Sequence, residues 1–177
     1  KMARTGSETY SNIRFRNSIS SSTNDIYELS PNTEYVVSYW VKGSESTLIR
    51  YYDADGVGRV NTNAKGSFYL DADKQDDWEL VADILTTDAD GKLRFHIAFE
   101  KSDLSAYSII DDIQLTTLED AKANVHSMIT NLENIPSNNY TRALDDIQQW
   151  VARLDDADLN KAYNDIVIDQ MTNIITP

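Results

Sequence analysis

Seven residues in the first two thirds of the chain carry the side chains best suited to gripping a ligand: Arg14, Arg16, Trp40, Arg50, Tyr52, Arg94 and His96. Each lies in a short run in which apolar and polar residues alternate. In "IRFRNSI", Ile13, Phe15 and Ile19 take one side and Arg14 and Arg16 the other. In "EYVVSYWVK", Tyr35, Val37, Tyr39 and Val41 share a side, opposite Ser38, Trp40 and Lys42. In "TLIRYY", Ile49 and Tyr51 oppose Arg50 and Tyr52, and in "KLRFHIAFE", Leu93, Phe95, Ile97 and Phe99 oppose Arg94, His96 and Glu100. The period of two makes the apolar set the buried one and the cationic and aromatic set the outward one. Aromatic rings stack on the C–H faces of sugars, and planar guanidinium groups reach hydroxyls or hold a carboxylate with two bonds. If these strands share one sheet, the outward set has the chemistry of saccharide recognition. An exposed sheet face merely dressed with Arg and Trp is the structural alternative.

A second cluster sits in "YSIIDDIQLTTLED". Strict alternation places Ile109, Asp111, Ile113 and Leu115 on one side and Ile110, Asp112 and Gln114 on the other. One aspartate then points toward the core side, where an unpaired carboxylate is costly. An Arg partner or backbone N–H groups would satisfy it, and so would a metal ion. The two "DADG" stretches, 53–56 and 88–91, look superficially like calcium loops. The first lacks acidic residues at the fifth and twelfth loop positions, where Val57 and Ala64 stand. Both are better read as hairpin turns in which Gly takes positive φ and Asp accepts local backbone bonds.

The elements that must position these residues are strands. Runs rich in β-branched and aromatic residues recur up to about residue 115, separated by the turn signals "SPNTE", "KGSES", "DADGVG" and "DADGK". No βαβ alternation is visible, so an antiparallel β-sandwich of the jelly-roll kind is expected over residues 1–116. After Leu115 the period changes. "TLEDAKANVHSMITNLENI" sets Leu118, Ala121, Val125, Met128, Ile129, Leu132 and Ile135 on one helical face, and Thr117 with Asp120 forms a variant capping box. A second helix is expected in "YTRALDDIQQWVARL", capped by Asn138 or Asn139, and a third in "ADLNKAYNDIVIDQMTNII". Residues 117–177 thus read as a small three-helix bundle, a spacer or docking element.

Composition narrows the function. The 177 residues include 29 acidic and 16 basic side chains, for a formal net charge of −13. That balance argues against nucleic acid or an anionic membrane surface as the main partner. No cysteine is present, which removes disulfides, thiolate nucleophiles and Cys-ligated zinc. The two histidines, His96 and His126, fall in different segments, and no metalloprotease, serine-hydrolase or phosphate-loop motif occurs, so an enzyme is not expected. No run is long and apolar enough for a membrane span, and no secretory signal core is visible. "KMA" at one end and "NIITP" at the other read as cut ends, so the rest of a larger polypeptide is expected around this piece.

The order of these signals resembles a known family. "SPNTEYVVSYWVKGSESTLIRYYD", then "DDWELVADILTTDADGKLRFHIAF", then "YSIIDDIQL" is similar to the galactose-binding-like jelly-roll carbohydrate-binding modules of the type attached to xylanases and glucanases. The matching positions are Tyr35, Ser38, Trp40, Val41 and Lys42 in a central strand, Trp78 opening the strand that pairs with the Gly91–Phe95 hairpin, and Asp111, Asp112, Ile113 and Leu115 closing the domain. The likeness implies a first strand lying before Lys1, a glycan or polysaccharide partner, a structural Ca²⁺ near Asp111 and Asp112, and a secreted, cell-surface or virion-surface location. Modules of this pattern also occur in toxins, adhesins and phage appendages, where a structural or assembly role is the competing expectation. A shorter likeness, "LEDAKANVHSMIT" with Leu118, Glu119, Ala121, Val125, Met128, Ile129 and Thr130, resembles a helical segment in the pro-domain of three-domain insecticidal crystal toxins.

Overall fold

The computed structural model describes residues 10–14, 26–43, 46–52, 67–68, 77–100 and 108–175. The chain divides into two compact units, Lys1–Leu115 and Thr116–Pro177. In the first, the described strands are β1 (Tyr10–Arg14), β2 (Ile26–Glu28), β3 (Glu34–Gly43), β4 (Ser46–Tyr52), β5 (Ser67–Phe68), β6 (Glu79–Thr86), β7 (Lys92–Glu100) and β8, which runs Ser108–Thr117 into the second unit. They form two sheets. One is three-stranded in the order β6-β3-β8; in the other, five-stranded, β7 carries β1 and β2 along one edge and β4 along the other, with β5 outside β4.

The core follows from the alternation. Val37, Tyr39 and Val41 of β3, Val81 and Leu85 of β6, and Leu93 and Ile97 of β7 make one buried cluster, with Tyr27, Leu29, Ile110 and Leu115 packed against it. Fully burying side chains of this size is worth about 1.5–3 kcal/mol each. β3 and β6 are covered on their other face as well, since Val36, Ser38, Leu80 and Ala82 are also buried. Ser38 lies on the side that alternation gives it, opposite Val37 and Tyr39, but that side is covered.

The expected jelly-roll β-sandwich is overturned. A jelly roll winds eight strands through two Greek keys. Here the described strands divide five and three, β1 and β2 share one edge of β7, and β5 is two residues long. With its three helices the chain is a mixed α and β protein. The expected pairing of the Trp78 strand with the 91–95 segment also fails, because β6 pairs with β3 along Glu34–Val41 while β7 belongs to the other sheet. Alternation names the buried face of a strand and is silent on which strand it pairs with.

The turn between β6 and β7 carries the chain from one sheet to the other. Asp88 Oδ1 accepts from the N–H groups of Asp90 (2.9 Å) and Lys92 (2.8 Å), and Gly91 has φ +71°. A Cβ at Gly91 would stand 2.1 Å from the Leu29 carbonyl oxygen, so the position accepts only glycine. The 29–33 loop is tied to this turn by Leu29 N–H to Gly91 O (2.7 Å), Asn32 N–H to Asp88 O (3.0 Å) and Thr87 N–H to Thr33 O (3.0 Å). The buried Thr87 hydroxyl donates to Ser30 O (2.6 Å) and accepts from Thr33 N–H (2.9 Å). The turn chemistry expected of "DADG" thus forms at 88–91, but the expected hairpin does not, since β6 and β7 lie in different sheets; the 53–56 copy lies outside the described residues.

The second unit holds α1 (Leu118–Thr130), a single 3-10 turn (Leu132–Asn134), α2 (Ser137–Leu154) and α3 (Ala157–Ile175), each helix touching the other two. Ala121, Val125, Ile129, Leu132, Ile147, Val151, Leu154 and Leu159 are buried among them. The capping box forms as expected: Asp120 N–H donates to Thr117 Oγ1 (3.1 Å), and that hydroxyl donates to Asp120 Oδ2 (2.7 Å). α2 begins earlier than the asparagines suggested. Pro136 occupies the cap, its fixed φ suited to a helix entry, and Asn138 and Asn139 lie inside the helix. Asp156 caps α3 through Leu159 N–H (3.1 Å) and binds Lys122 Nζ of α1 at 2.7 Å. The lysine and then the cap bonds hold its carboxyl below the usual carboxylate range. This contribution to stability is present at neutral pH and is lost as pH falls through that lowered value.

Candidate functional site

Register, rather than sequence order, gathers the cationic residues. β7 is paired on both edges, so each of its positions heads a row across the sheet. In one row Arg14 of β1, His96 of β7 and Arg50 of β4 stand opposite one another; in the next, Ile26 of β2, Arg94 of β7 and Tyr52 of β4 do. Leu93 and Ile97 are both fully buried, and residues 94 and 96 occupy the alternate positions, on the face away from the core. Five of the seven residues singled out by alternation therefore fall in two adjacent rows on one face of the five-stranded sheet.

Neighbouring strands are about 4.8 Å apart and alternate residues about 6.7 Å apart along a strand. Positions 14 and 50 are then about 10 Å apart, with position 94 about 8 Å from each. Further along the same face, Asn12, Ala98 and Leu48 make the next row, and Tyr10, Glu100 and Ser46 the one after. On the other side, Glu28 faces Lys92 directly. The Lys92 ammonium itself lies 3.7 Å from an Asp90 carboxylate oxygen. No acidic residue occupies the 94 or the 96 row among the described residues.

Trp40 does not join this set. It lies in β3, in the other sheet, half-buried and opposite Leu80 in register. The condition that all the outward residues share one sheet is therefore not met by Trp40. Its neighbour Lys42 sits over the Trp78 ring, 5.3 Å from the centroid, a contact worth about 0.5–1 kcal/mol where exposed. Arg16 lies outside the described residues.

The aspartate pair has a geometric explanation. Asp112 has φ +51°, a left-handed conformation in mid-strand. One residue in that conformation inserts an extra position and flips the alternation beyond it, as a β-bulge does. Ile110 and Leu115, of opposite parity, accordingly pack against the same cluster, while Asp111, Asp112 and Ile113 are all exposed. The expectation that one carboxylate points to the core is overturned. Asp111 Oδ1 accepts from Asp112 N–H (2.9 Å), and Gln114 Nε2 donates to both oxygens of Asp112 (2.8 and 2.9 Å). A calcium ion is thus not required to neutralise a buried charge, and no group of three or more acidic or histidine side chains able to hold a metal occurs among the described residues. β8 lies at the end of its sheet, where a bulge and two carboxylates discourage pairing with another chain.

Sequence reasoning missed Ile26 and Glu28 as members of this face, because β2 is three residues long and shows no periodicity; Lys92, the first residue of β7, has the parity of Arg94 and His96 and was readable from the alternation. No protein-family model and no curated protein matches the chain. Among the described residues, no helix is long and apolar enough to cross a membrane.

Proposed function

We propose that the chain is a non-catalytic glycan-binding module of a larger secreted or surface protein, with its ligand lying across the outer face of the five-stranded sheet. The observation that carries this reading is the register that aligns Arg14, His96 and Arg50 in one row and Arg94 and Tyr52 in the next. Those residue types supply fork-shaped donors for hydroxyl and carboxylate oxygens and an aromatic ring for a sugar face. The helical unit serves as spacer or docking element.

A glycan array probed with the chain, with and without calcium, tests the reading. Binding to a defined glycan class is expected, weakened in Arg50→Gln and unchanged in Trp40→Ala. Absence of binding to every glycan would leave a structural or assembly segment of a toxin, adhesin or virion appendage as the better account.

A further inference from the structure

We infer that the ligand of this face is an anionic oligosaccharide bearing more than one carboxylate, met by the arginines at positions 14, 50 and 94; the inference rests on the glycan-binding reading above. Three observations carry it. The chain has 29 acidic and 16 basic residues, so a random patch would be expected to be acidic. Yet the two central rows of the sheet hold three arginines and one histidine and no acidic residue among the described positions. The acidic residues on the same face flank these rows: Glu28 stands in the row next to Arg94, opposite Lys92 in register and about 8 Å from position 94, and Glu100 lies two rows beyond His96, about 13 Å away.

Spacing decides between one anionic group and several. A single carboxylate accepts one guanidinium fork. Arginine positions about 8–10 Å apart on a fixed sheet invite carboxylates at repeated intervals along a chain, as an oligosaccharide of uronic acid units supplies them. Three arginine positions in two adjacent rows, with Lys92 in the next, give this face a local cationic excess that an anionic ligand complements. The acidic surface elsewhere disfavours the same ligand, which confines it to this face.

The test is calorimetric titration of the chain with an oligogalacturonate and with its fully methyl-esterified form, which keeps the sugar backbone and removes the charge. Binding of the free acid at least about tenfold tighter than the ester is expected, as for one lost charge-assisted bond. Affinity should fall steeply as salt rises from roughly 0.01 M to about 1 M, where the screening length shrinks from about 30 Å to about 3 Å. Arg14→Gln and Arg50→Gln should each weaken binding about tenfold with an unchanged melting temperature, and Arg50→Lys should lose less. Equal binding of acid and ester, or affinity indifferent to salt, would overturn the inference and leave the glycan reading intact. A sulfated oligosaccharide of the same length binding tighter than the uronate would overturn the carboxylate assignment. Failure to bind any glycan, neutral or acidic, would overturn both.

Discussion

The two sheets of the first unit are built from similar residues and put to different use. In the three-stranded sheet, β3 and β6 are buried on both faces, Val37 and Tyr39 on one and Val36 and Leu80 on the other. Strands covered on both sides lose the contrast between inward and outward residues, and "EYVVSYWVK" is close to a continuous apolar run. In the five-stranded sheet, β7 contributes Leu93 and Ile97 to the core and sets Arg94 and His96 on the alternate positions. An aromatic that alternation sets opposite the core, such as Trp40, is not thereby exposed when both faces of its strand are covered. The three-stranded sheet supplies much of the buried core, and the proposed recognition surface lies on the five-stranded sheet.

That division can be broken in graded steps. Tyr39→Ala empties a fully buried position of β3 and should cost about 3–5 kcal/mol in denaturant unfolding of the first unit. A loss of only a few tenths would mean the three-stranded sheet is not the stabilising element. Gly91→Ala drives a methyl group into the Leu29 carbonyl at a left-handed position and should cost about 2 kcal/mol or more, with the 29–33 loop loosened in hydrogen exchange. Retention of full protection at Leu29 and Asn32 would contradict the turn geometry. Thr117→Ala removes the cap of α1 and should cost about 1 kcal/mol, felt in the helical unit and not in β3. Equal loss in both units would mean that they unfold together.

How much of this was legible in the sequence depends on how local the determinant is. The capping box at Thr117 and Asp120 spans four residues and was readable outright, as was the helical face of Ala121, Val125 and Ile129. The start of α2 was misread because the asparagines at 138 and 139 outweighed Pro136, whose ring defines the entry. In the sheets, the alternation correctly identified Leu93 and Ile97 as core, yet pairing across tens of residues was invisible. β2 and β5, three and two residues long, are too short for any period to show. One backbone angle, φ +51° at Asp112, was enough to reverse the faces assigned to the second half of β8. Alternation gave the candidate arginines, and only the register of β7 with β1 and β4 showed which of them stand together.

The most direct test of the account is to follow backbone amide resonances while an oligogalacturonate is titrated into the chain. The account predicts shifts concentrated at residues 12–14, 48–52 and 94–98, around the rows headed by His96 and Arg94, with β3 near Trp40 unmoved. Shifts centred on Trp40 and β3, with the 94 and 96 rows silent, would contradict it.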